Sequence, residues 1–252
     1  MSSRNKSQIE LQKLSVLPSA PNLANTMLGA AFSVRTDAVS ELYNMDCVEG
    51  MKHCPDNYFD LAICDPPYGI NINHSMGRRK GEKASSYKNA DWDSEPPPLE
   101  YFVELFRVSK NQIVWGANHF ISRMPYDSAC WLLFDKKVSE DVSFAQYEMA
   151  WTSLNGTCKK FDYRWSGMLQ ENMKDKEQRI HPTQKPIALY SWILSKYAET
   201  NAKILDTHVG SGSSRIACHH KGFDFVGFEI DLEYCQKSEK RFVDAVSQQR
   251  LF

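Results

Sequence analysis

The sequence predicts an α/β fold built on a mostly parallel central sheet. Seven short β-rich runs follow one another from residue 41 onward, and several are almost entirely apolar, as expected for strands covered on both faces. Stretches of helical periodicity separate several of these runs, which is typical of parallel strands joined by helical crossovers. With 252 residues, 42% of them hydrophobic and 24% charged, the chain has enough material for one domain with a sizeable core.

The predicted strands are short and bounded by polar or turn-forming residues. They are ELYNM (41–45), FDLAIC (59–64), NQIVWG (111–116), CWLLFD (130–135), YEMAWT (147–152), AKILD (202–206) and FDFVGFE (223–229). The fourth and fifth runs have no helix-length crossover between them, so we expect an antiparallel hairpin there. The sheet should therefore contain one antiparallel strand.

Three helices are predicted between the strands. The first has an apolar stripe opened by prolines, the second starts at a proline, and the third ends in a glycine, which is common at helix C-termini. They are expected over residues 97–110, 186–200 and 213–222. The apolar stripe of the first helix consists of Leu99, Phe102, Val103 and Phe106. Pro186 opens the second helix, and Gly222 ends the third.

Two segments have the composition of loops. Residues 1–39 form a polar lead with weak periodicity, and 71–98 form a long stretch rich in Lys, Ser, Asn and Pro. A long loop inside a compact domain is usually a lid or a binding segment. We therefore predict an N-terminal arm over 1–39, of open role, followed by one domain over 40–252.

Composition excludes several classes of protein. The net charge of −1 gives no global basic field, so contacts to nucleic acid must come from local patches. The seven cysteines are scattered without the spacing of a zinc site, which predicts reduced thiols and no metal centre. The N-terminus has no signal-peptide core, and no apolar run approaches the length of a membrane helix. We expect a cytoplasmic protein with no membrane contact.

A βαβ unit near the C-terminal end carries the signals of a ligand site. A strand ends at Asp206, a loop contains Gly210 and Gly212, and after a helix a second strand ends at Glu229. Glycines let the backbone approach a ligand closely, and an acid at the end of the second strand is placed to bind ribose. Arg215 stands where dinucleotide sites have a third glycine, so an adenosine-type cofactor is favoured. A tight turn with no ligand is the alternative.

The tetrapeptide Asp-Pro-Pro-Tyr, at 65–68, follows a buried strand and has the chemistry of an amine-binding corner. The prolines remove two backbone donors and leave a carbonyl free of the strand ladder. Asp65 adds a carboxylate acceptor and Tyr68 a flat aromatic face. Two acceptors and a stacking surface suit the exocyclic amino group of a nucleobase. The alternative is the first turn of a buried helix.

Three motifs together resemble those of amino-group DNA methyltransferases that use S-adenosylmethionine. These are DPPYG (65–69), HPTQKP (181–186) and DTHVGSGSS (206–214). The catalytic tetrapeptide precedes the glycine loop, and this order resembles the beta class. The variant start of the loop, Asp206-Thr207-His208, resembles phage and prophage members of the family. The resemblance spans about residues 40–245. It implies a class I methyltransferase fold, Rossmann-like, with a seven-stranded sheet and a circularly permuted motif order.

The resemblance also implies roles for individual residues. A catalytic group would hold the target amino group and stack on an extruded base; its members are Asp65, Pro66, Pro67 and Tyr68. The implied cofactor-binding residues are Asp46, Cys47, Asp65, Thr183, Gln184, Lys185, Asp206, His208, Gly210, Ser211, Gly212, Ser213 and Glu229. For 183–185, a plain helix start is the alternative. Thr207 and His208 replace the Pro-Phe that is common in this family, which leaves the direct contacts of this pair open.

Contacts to DNA are predicted from two basic stretches. The 71–98 loop is locally basic, which suits phosphate contacts, although a solvated loop has the same composition. Its candidate residues are Arg78, Arg79, Lys80, Lys83 and Lys88. The other stretch, KKFDYRW (159–165), suits backbone contact with base stacking or, equally, aromatic core packing. Only 153–180 is available as a target-recognition insertion, so we expect a short recognition sequence or help from the arm, the loop or a second subunit.

The predicted reaction is methyl transfer to adenine N6 in DNA, as in restriction-modification systems. In-line transfer to nitrogen needs alignment and oriented dipoles but no metal or covalent nucleophile. No proline is followed by Cys, which argues against cytosine carbon-5 enzymes. Asp at the start of the tetrapeptide favours adenine over cytosine N4. Cytosine N4 methylation, a silent nucleic-acid-binding relative and an RNA or protein amide methyltransferase are the alternatives. A homodimer is compatible with the beta class.

Overall fold

Eight strands form one sheet in the computed structural model, which describes residues 38–71, 93–139, 145–166 and 169–248. Ten strands occur in these ranges: β1 (Ser40–Tyr43), β2 (Leu61–Cys64), β3 (Gln112–Trp115), β4 (Trp131–Asp135), β5 (Tyr147–Thr152), β6 (Lys159–Asp162), β7 (Trp165–Ser166), β8 (Leu169–Gln170), β9 (Lys203–Asp206) and β10 (Asp224–Phe228). The order across the sheet is β1-β10-β9-β2-β3-β5-β4-β6, and β7 pairs with β8 separately.

The sheet has the predicted mixture of strand directions. β5 runs antiparallel to both of its neighbours, β3 and β4, and the other pairs of this sheet are parallel. The mostly parallel sheet with one antiparallel strand and the β4–β5 hairpin are therefore confirmed. One strand exceeds the predicted seven, because Lys159–Asp162 joins the edge of the sheet beside β4.

Five α-helices connect or flank the strands in the described ranges. They are α1 (Cys47–Lys52), α2 (Leu99–Val108), α3 (Ile187–Tyr197), α4 (Ser213–Lys221) and α5 (Leu232–Gln248). The three predicted helices correspond to α2, α3 and α4. The sequence analysis missed α1, which is a six-residue helix, and α5, whose sequence is largely polar. Two short 3₁₀ turns, Ala117–His119 and Ile121–Arg123, follow β3.

Two hydrophobic layers cover the sheet, one on each face. Along β2, Leu61 and Ile63 pack into one layer, whereas Ala62 and Cys64 pack into the other. This alternation follows from the two-residue period of a strand. One layer contains residues of α1 and α2, and the other contains residues of α3 and α4. Both sides of β2 are buried, as its continuous apolar sequence predicts.

The buried face of α2 differs from the predicted stripe. Leu99 and Val103 are 66% and 65% exposed, so their assignment to the core-facing stripe was wrong. The buried residues of this helix are Tyr101, Phe102, Leu105 and Val108. The spacing of 101, 105 and 108 also forms a helical stripe, and it buries Tyr101, whose hydroxyl finds a partner 2.8 Å away in Thr207 Oγ1.

Adjacent strands bring the two distant motifs together. β2 and β9 pair in parallel, with Leu61 opposite Ile204 and Ala62 opposite Leu205. Their carboxyl ends, followed by Asp65 and the glycine loop, consequently lie at the same edge of the sheet. In open α/β sheets this edge is where ligands bind.

Several predictions concern residues outside the described ranges. The arm over 1–39 and most of the 71–98 loop fall there, so the proposed domain boundary stays a prediction. Within the described ranges, no helix has the length and apolarity to cross a membrane. No three His, Cys, Asp or Glu side chains of these residues are grouped as a metal site. The seven cysteines carry free thiols.

Candidate active site

The tetrapeptide after β2 forms a tightly held turn. The buried carboxylate of Asp93 accepts hydrogen bonds through Oδ1 from the backbone N–H groups of Tyr68, at 2.7 Å, and Gly69, at 3.1 Å. Gly69 has φ of +74°, and a Cβ there would lie 2.6 Å from Pro96 Cδ, so the turn needs glycine at this point. Asp93, at the far end of the 71–98 loop, thus fixes the turn.

The Tyr68 ring is held against the end of β3. Gly116, directly after β3, has φ of +70°, and a Cβ on it would lie 2.0 Å from Tyr68 Cε1. The His119 ring stacks on Tyr68 with centroids 5.2 Å apart and planes 15° from parallel. The Tyr68 hydroxyl donates to Asp65 Oδ1 at 2.7 Å. The turn therefore presents Asp65 and Tyr68 as one rigid unit.

A charged cluster lies beside this unit. Lys185 Nζ is 2.5 Å from Asp65 Oδ2, 2.9 Å from Glu148 Oε2 and 3.2 Å from the Tyr68 hydroxyl. Lys136 Nζ lies 2.6 Å from the other oxygen of the same glutamate, Glu148 Oε1. Two carboxylates and two lysines thus neutralise one another within the site.

The pKa values of the two carboxyl groups move in opposite directions. Burial raises the pKa of Asp65, and the charge of Lys185 opposes this effect only in part. Burial would also raise the pKa of Glu148, but Lys185 and Lys136 lower it to about 2. Burial disfavours the charged form of Lys185, but the two carboxylates raise its pKa overall. Glu148 and Lys185 are therefore charged at neutral pH.

The glycine loop links β9 to α4. Gly210 and Gly212 have φ of +52° and +76°, a region of backbone conformation that favours glycine. Glu229, which follows β10, accepts a hydrogen bond from the Gly210 N–H at 2.8 Å. Arg241 of α5 donates to the Ser211 carbonyl at 2.8 Å and pairs with Glu177 at 2.7 Å. Side chains from two other segments thus fix the shape of the loop.

Asp206 lies behind the loop. Its Oδ2 accepts a hydrogen bond from Ser214 Oγ at 2.5 Å, and its Oδ1 accepts one from the His208 N–H at 3.0 Å. Burial raises the pKa of Asp206 to about 7. The side chain is 2% exposed and supports the loop from within the protein.

A cavity of about 520 Å³ opens between the tetrapeptide and the glycine loop, within the usual size range of ligand sites. Ten of the thirteen residues predicted to bind cofactor line it, together with Pro67 from the catalytic set. The ten are Asp46, Cys47, Asp65, Thr183, Gln184, Lys185, His208, Gly210, Ser211 and Glu229. The other three are not part of its lining: Asp206 is the buried last residue of β9, Gly212 precedes α4, and Ser213 is its buried first residue.

A second cavity of about 50 Å³ adjoins the tetrapeptide. Asp65, Thr183 and Lys185 line both cavities. Pro66 and Tyr68 line only the smaller one, together with Asp93 and Glu148. The carboxylate of Asp65 therefore stands where the two cavities meet.

Several lining residues were missed by the sequence analysis. They are His181, Tyr190, Asp231, Tyr234, Met45, Val209, Phe228 and Ile230 in the larger cavity, with Asp93 and Glu148 in the smaller one. Two of them could have been found, because His181 opens the HPTQKP motif and Asp231 follows Glu229 by two residues beyond a strand end. Nothing in the local sequence marks the others as lining residues, because only the fold places them at this edge of the sheet.

His208, which departs from the common family motif, lines the cavity as a neutral ring. Burial lowers its pKa to about 4. Its Nδ1 lies 2.9 Å from Thr207 Oγ1, and its Nε2 lies 4.0 Å from Cys47 Sγ. The Tyr101 ring meets it edge-on at 5.4 Å. Thr207 and His208 thus join the loop to α2 and to the start of α1.

The predicted DNA contacts are only partly visible. Arg78, Arg79, Lys80, Lys83 and Lys88 lie outside the described residues. In the 159–165 stretch, Phe161 stacks on Tyr163 and contacts Trp192 of α3. These contacts correspond to aromatic core packing, the alternative to base stacking in the sequence analysis. Lys160 is exposed and pairs with Asp162 at 2.8 Å.

The fold and the two joined cavities define an α/β protein with a ligand-sized site at the carboxyl edge of its sheet, where open α/β sheets bind their ligands. The model of the DNA methylase family, N6_N4_Mtase, matches residues 109–240, more than half of the chain. The chain therefore belongs to the DNA methylase family. The prediction of a DNA amino-methyltransferase is confirmed at the level of this family, which includes both N6 and N4 enzymes.

Individual relatives agree with this assignment. The chain is 27% identical to the Type II methyltransferase M.HinfI of Haemophilus influenzae, over 81% of this chain and 68% of that protein. It is also 27% identical to the Type II methyltransferase M2.MboI of Moraxella bovis, over 80% of this chain and 86% of that protein. The crystal structure of the M1.HpyAVI–SAM complex superposes with a TM-score of 0.51 at 18% identity, covering 80% of this chain and 98% of that one. The structural likeness confirms the class I methyltransferase fold.

Proposed function

We propose that the chain transfers a methyl group from S-adenosylmethionine to the N6 amino group of adenine in DNA. The observation that carries this proposal is the position of Asp65, whose carboxylate lines both the larger cavity and the small cavity beside Tyr68. A group transferred between two ligands must pass through such a junction. Membership of the DNA methylase family supports DNA as the substrate.

The larger cavity fits the methyl donor in size and in chemistry. Carboxylates of Asp46, Glu229 and Asp231 offer acceptors for hydroxyl and amino groups, and Phe228 and Ile230 offer apolar surface for an adenine ring. When bound, S-adenosylmethionine supplies an electrophilic methyl group on a sulfonium. The neutral His208 ring and the acidic lining tolerate that positive charge.

The tetrapeptide would hold the acceptor. Asp65 and the Pro66 carbonyl accept hydrogen bonds from the two N–H bonds of the amino group, which directs the nitrogen lone pair toward the methyl carbon. The new N–C bond forms as the S–C bond breaks, and the nitrogen then loses a proton, for which the Asp65 carboxylate is the adjacent base. Tyr68 stacks on the base, which has to leave the duplex to reach this corner.

The smaller cavity is too small for a nucleobase as it stands. Its volume is about 50 Å³, which is room for about three to five water molecules at roughly 10–15 Å³ each. The His119 ring already stacks on Tyr68. We infer that DNA binding moves His119 or widens the gap between Tyr68 and Glu148 when the base enters.

Adenine is proposed over cytosine because the tetrapeptide starts with Asp, as in most adenine enzymes. Hydrolysis of DNA methylated by the purified protein, followed by nucleoside mass spectrometry, tests the choice. We expect N6-methyladenine. N4-methylcytosine without N6-methyladenine would show that the base assignment is wrong while the amino-methyltransferase proposal stands.

A silent nucleic-acid-binding relative is the second candidate, suggested by the replacement of Pro-Phe with Thr207-His208. Incorporation of labelled methyl groups into DNA, with RNA as a parallel acceptor, separates the candidates. Incorporation into DNA that is abolished in Asp65→Ala supports the enzyme. Binding of DNA without any incorporation supports the silent relative.

Other features of the protein remain proposals. We propose that the basic residues of the 71–98 loop contact phosphates, and that the 153–180 insertion reads a short sequence with help from the arm, the loop or a second subunit of a homodimer. Sequencing of methylated DNA tests this, because a long, strictly read site that survives deletion of residues 1–36 contradicts it. A cytoplasmic location and a phage or prophage origin also stay predictions.

A further inference from the structure

Glu148 reaches the active-site edge because of the direction of its strand. It is the second residue of β5, the antiparallel strand, so the start of β5 lies at the edge where the parallel strands end. The neighbouring Met149 carbonyl accepts a hydrogen bond from the Gly116 N–H at 2.9 Å, which fixes this end of β5 beside the Tyr68 support. No motif of the sequence marks Glu148.

The Glu148 carboxylate is held by a lysine on each oxygen. Lys185 lies 2.9 Å from Oε2 and Lys136 lies 2.6 Å from Oε1. The side chains of this cluster are 3% exposed for Lys185, 14% for Lys136, 17% for Asp65 and 21% for Glu148. Charges this far from water interact strongly, because there is little solvent to screen them.

The cluster divides the charge of Lys185 between two carboxylates. The ammonium group of Lys185 donates a hydrogen bond to the Tyr68 hydroxyl and forms ion pairs with Asp65 Oδ2 and Glu148 Oε2. If Lys185 faced Asp65 alone, its full charge would weaken that carboxylate as an acceptor. Glu148 takes up part of the charge and fixes the ammonium group in place.

Glu148 lines the smaller cavity but not the larger one. Its influence should therefore fall on the acceptor side of the reaction and not on cofactor binding. The pKa directions agree with this arrangement, because Glu148 is among the groups that raise the pKa of Asp65, whereas Lys185 lowers it.

We propose that Glu148 is a positioning residue for methyl transfer, which draws part of the charge of Lys185 away from Asp65 so that Asp65 keeps the acceptor strength an exocyclic amino group requires. This inference rests on the function proposed above. The groups that face Asp65 from the surrounding elements are Lys185, Glu148, Tyr68, Tyr190 and Asp206, and Lys136 faces Glu148 from the end of β4.

The test compares Glu148→Gln with Lys136→Gln. Loss of the Glu148 charge leaves Lys185 to act on Asp65 alone, so the acid limb of the kcat–pH profile moves to lower pH. The plateau kcat falls about tenfold, a fraction of the roughly 10²–10⁴-fold that a positioned proton acceptor can contribute. Loss of Lys136 acts in the opposite sense and moves the acid limb to higher pH. The Kd for S-adenosylmethionine stays within about twofold in both variants, since neither residue lines the larger cavity.

The two variants control for each other. Each removes one charge from the same buried cluster, so a general loss of stability affects both alike and cannot move the acid limb in opposite directions. Shifts in the same direction, no shifts, or an effect confined to cofactor Kd would overturn the inference. Should Glu148→Gln fail to fold, the direction of the Lys136→Gln shift decides alone.

A second readout does not depend on turnover. A carbon-13 NMR titration of the Asp65 carboxyl group, assigned with Asp65→Asn, should show the same two directions for its pKa. If the wild type methylates DNA and the pKa does not move, only this inference fails. If the wild type transfers no methyl group, the proposed function fails, and the titration still decides whether Glu148 acts on Asp65.

Discussion

Substitution of Gly116 by Ala should separate base positioning from cofactor binding. The new Cβ would lie 2.0 Å from Tyr68 Cε1, far inside contact distance, so the Tyr68 ring has to move. The backbone φ of +70° adds a left-handed strain of about 1–2 kcal/mol, and overpacking adds about 1–3 kcal/mol. The expected loss in the free energy of unfolding is the sum, about 2–5 kcal/mol.

Gly222→Ala is the matched control. Gly222 ends α4 with φ of +72°, almost the same as the +70° of Gly116, and it lies just before β10, at the opposite edge of the sheet from the strand ends that Tyr68 follows. In this variant the free energy of unfolding should fall only by the cost of the left-handed conformation, about 1–2 kcal/mol. Urea unfolding measures both losses, and calorimetry with S-adenosylmethionine checks cofactor binding, which Gly116→Ala should retain because neither Gly116 nor Tyr68 lines the larger cavity.

The kinetic consequence distinguishes the two variants further. A displacement of about 1 Å in a catalytic group can cost 10²-fold in rate. We therefore expect Gly116→Ala to methylate DNA about 10²-fold more slowly, and Gly222→Ala to keep the wild-type rate at a temperature where it is folded. If Gly116→Ala matches Gly222→Ala in stability and in rate, Tyr68 is not held against Gly116 and the account of the turn is wrong.

Three further predictions follow from the contacts around the site. Asp93→Ala leaves two turn N–H groups without their shared acceptor and should lose about 2–4 kcal/mol in urea unfolding, whereas Asp93→Asn, which keeps an acceptor oxygen, should lose about 1 kcal/mol; equal losses contradict this. Arg241→Met removes the donor to the Ser211 carbonyl, so S-adenosylmethionine binding, measured by calorimetry, should weaken about tenfold. Unchanged affinity would contradict this. Asp206 has a folded-state pKa raised to about 7 against an ordinary value of 3.8, so its contribution to stability is complete below pH 3.8 and is lost as pH rises to about 7. Relative to Asp206→Asn, the wild type should therefore lose stability across this range and then level off; a constant difference between the two proteins from pH 4 to 8 would exclude the raised pKa.

The sheet was largely predictable because its strands carry strong local signals. The apolar run ending in Cys64 favours a buried strand, and the glycines at 210 and 212 mark a turn that other residues avoid. The pairing of β2 with β9 was not predicted and comes from the structure. Local pattern and family likeness thus agree on the position of Asp65.

Other elements were missed for identifiable physical reasons. β6 has a strand sequence interrupted by charges because it lies at the edge of the sheet, where one side of the strand faces water. The helix α5 is largely polar, and few of its residues, such as Tyr234, are buried. The charges of β6 obscure the strand, whereas the helical spacing of the apolar residues in α5 could have identified that helix.

The charged cluster was beyond sequence reasoning altogether. Lys185 was predicted to border the cofactor, and it lines the larger cavity, but its ion pairs with Asp65 and Glu148 join residues that are far apart in the chain. Such pairs depend on strand order and on the antiparallel direction of β5. The same holds for Asp93, which contacts Tyr68, Gly69 and Asn71 although it is far from them in the chain.

The central claim is that Asp65 holds an amino group of DNA for methylation from a donor in the adjoining cavity. A single-turnover experiment with labelled S-adenosylmethionine bound in advance, followed by addition of DNA, tests it most directly. We predict that the wild type transfers the label to adenine N6, whereas Asp65→Ala, loaded with the donor at a saturating concentration, transfers none. Equal transfer by both proteins, or no transfer from a fully loaded wild type, would contradict the account.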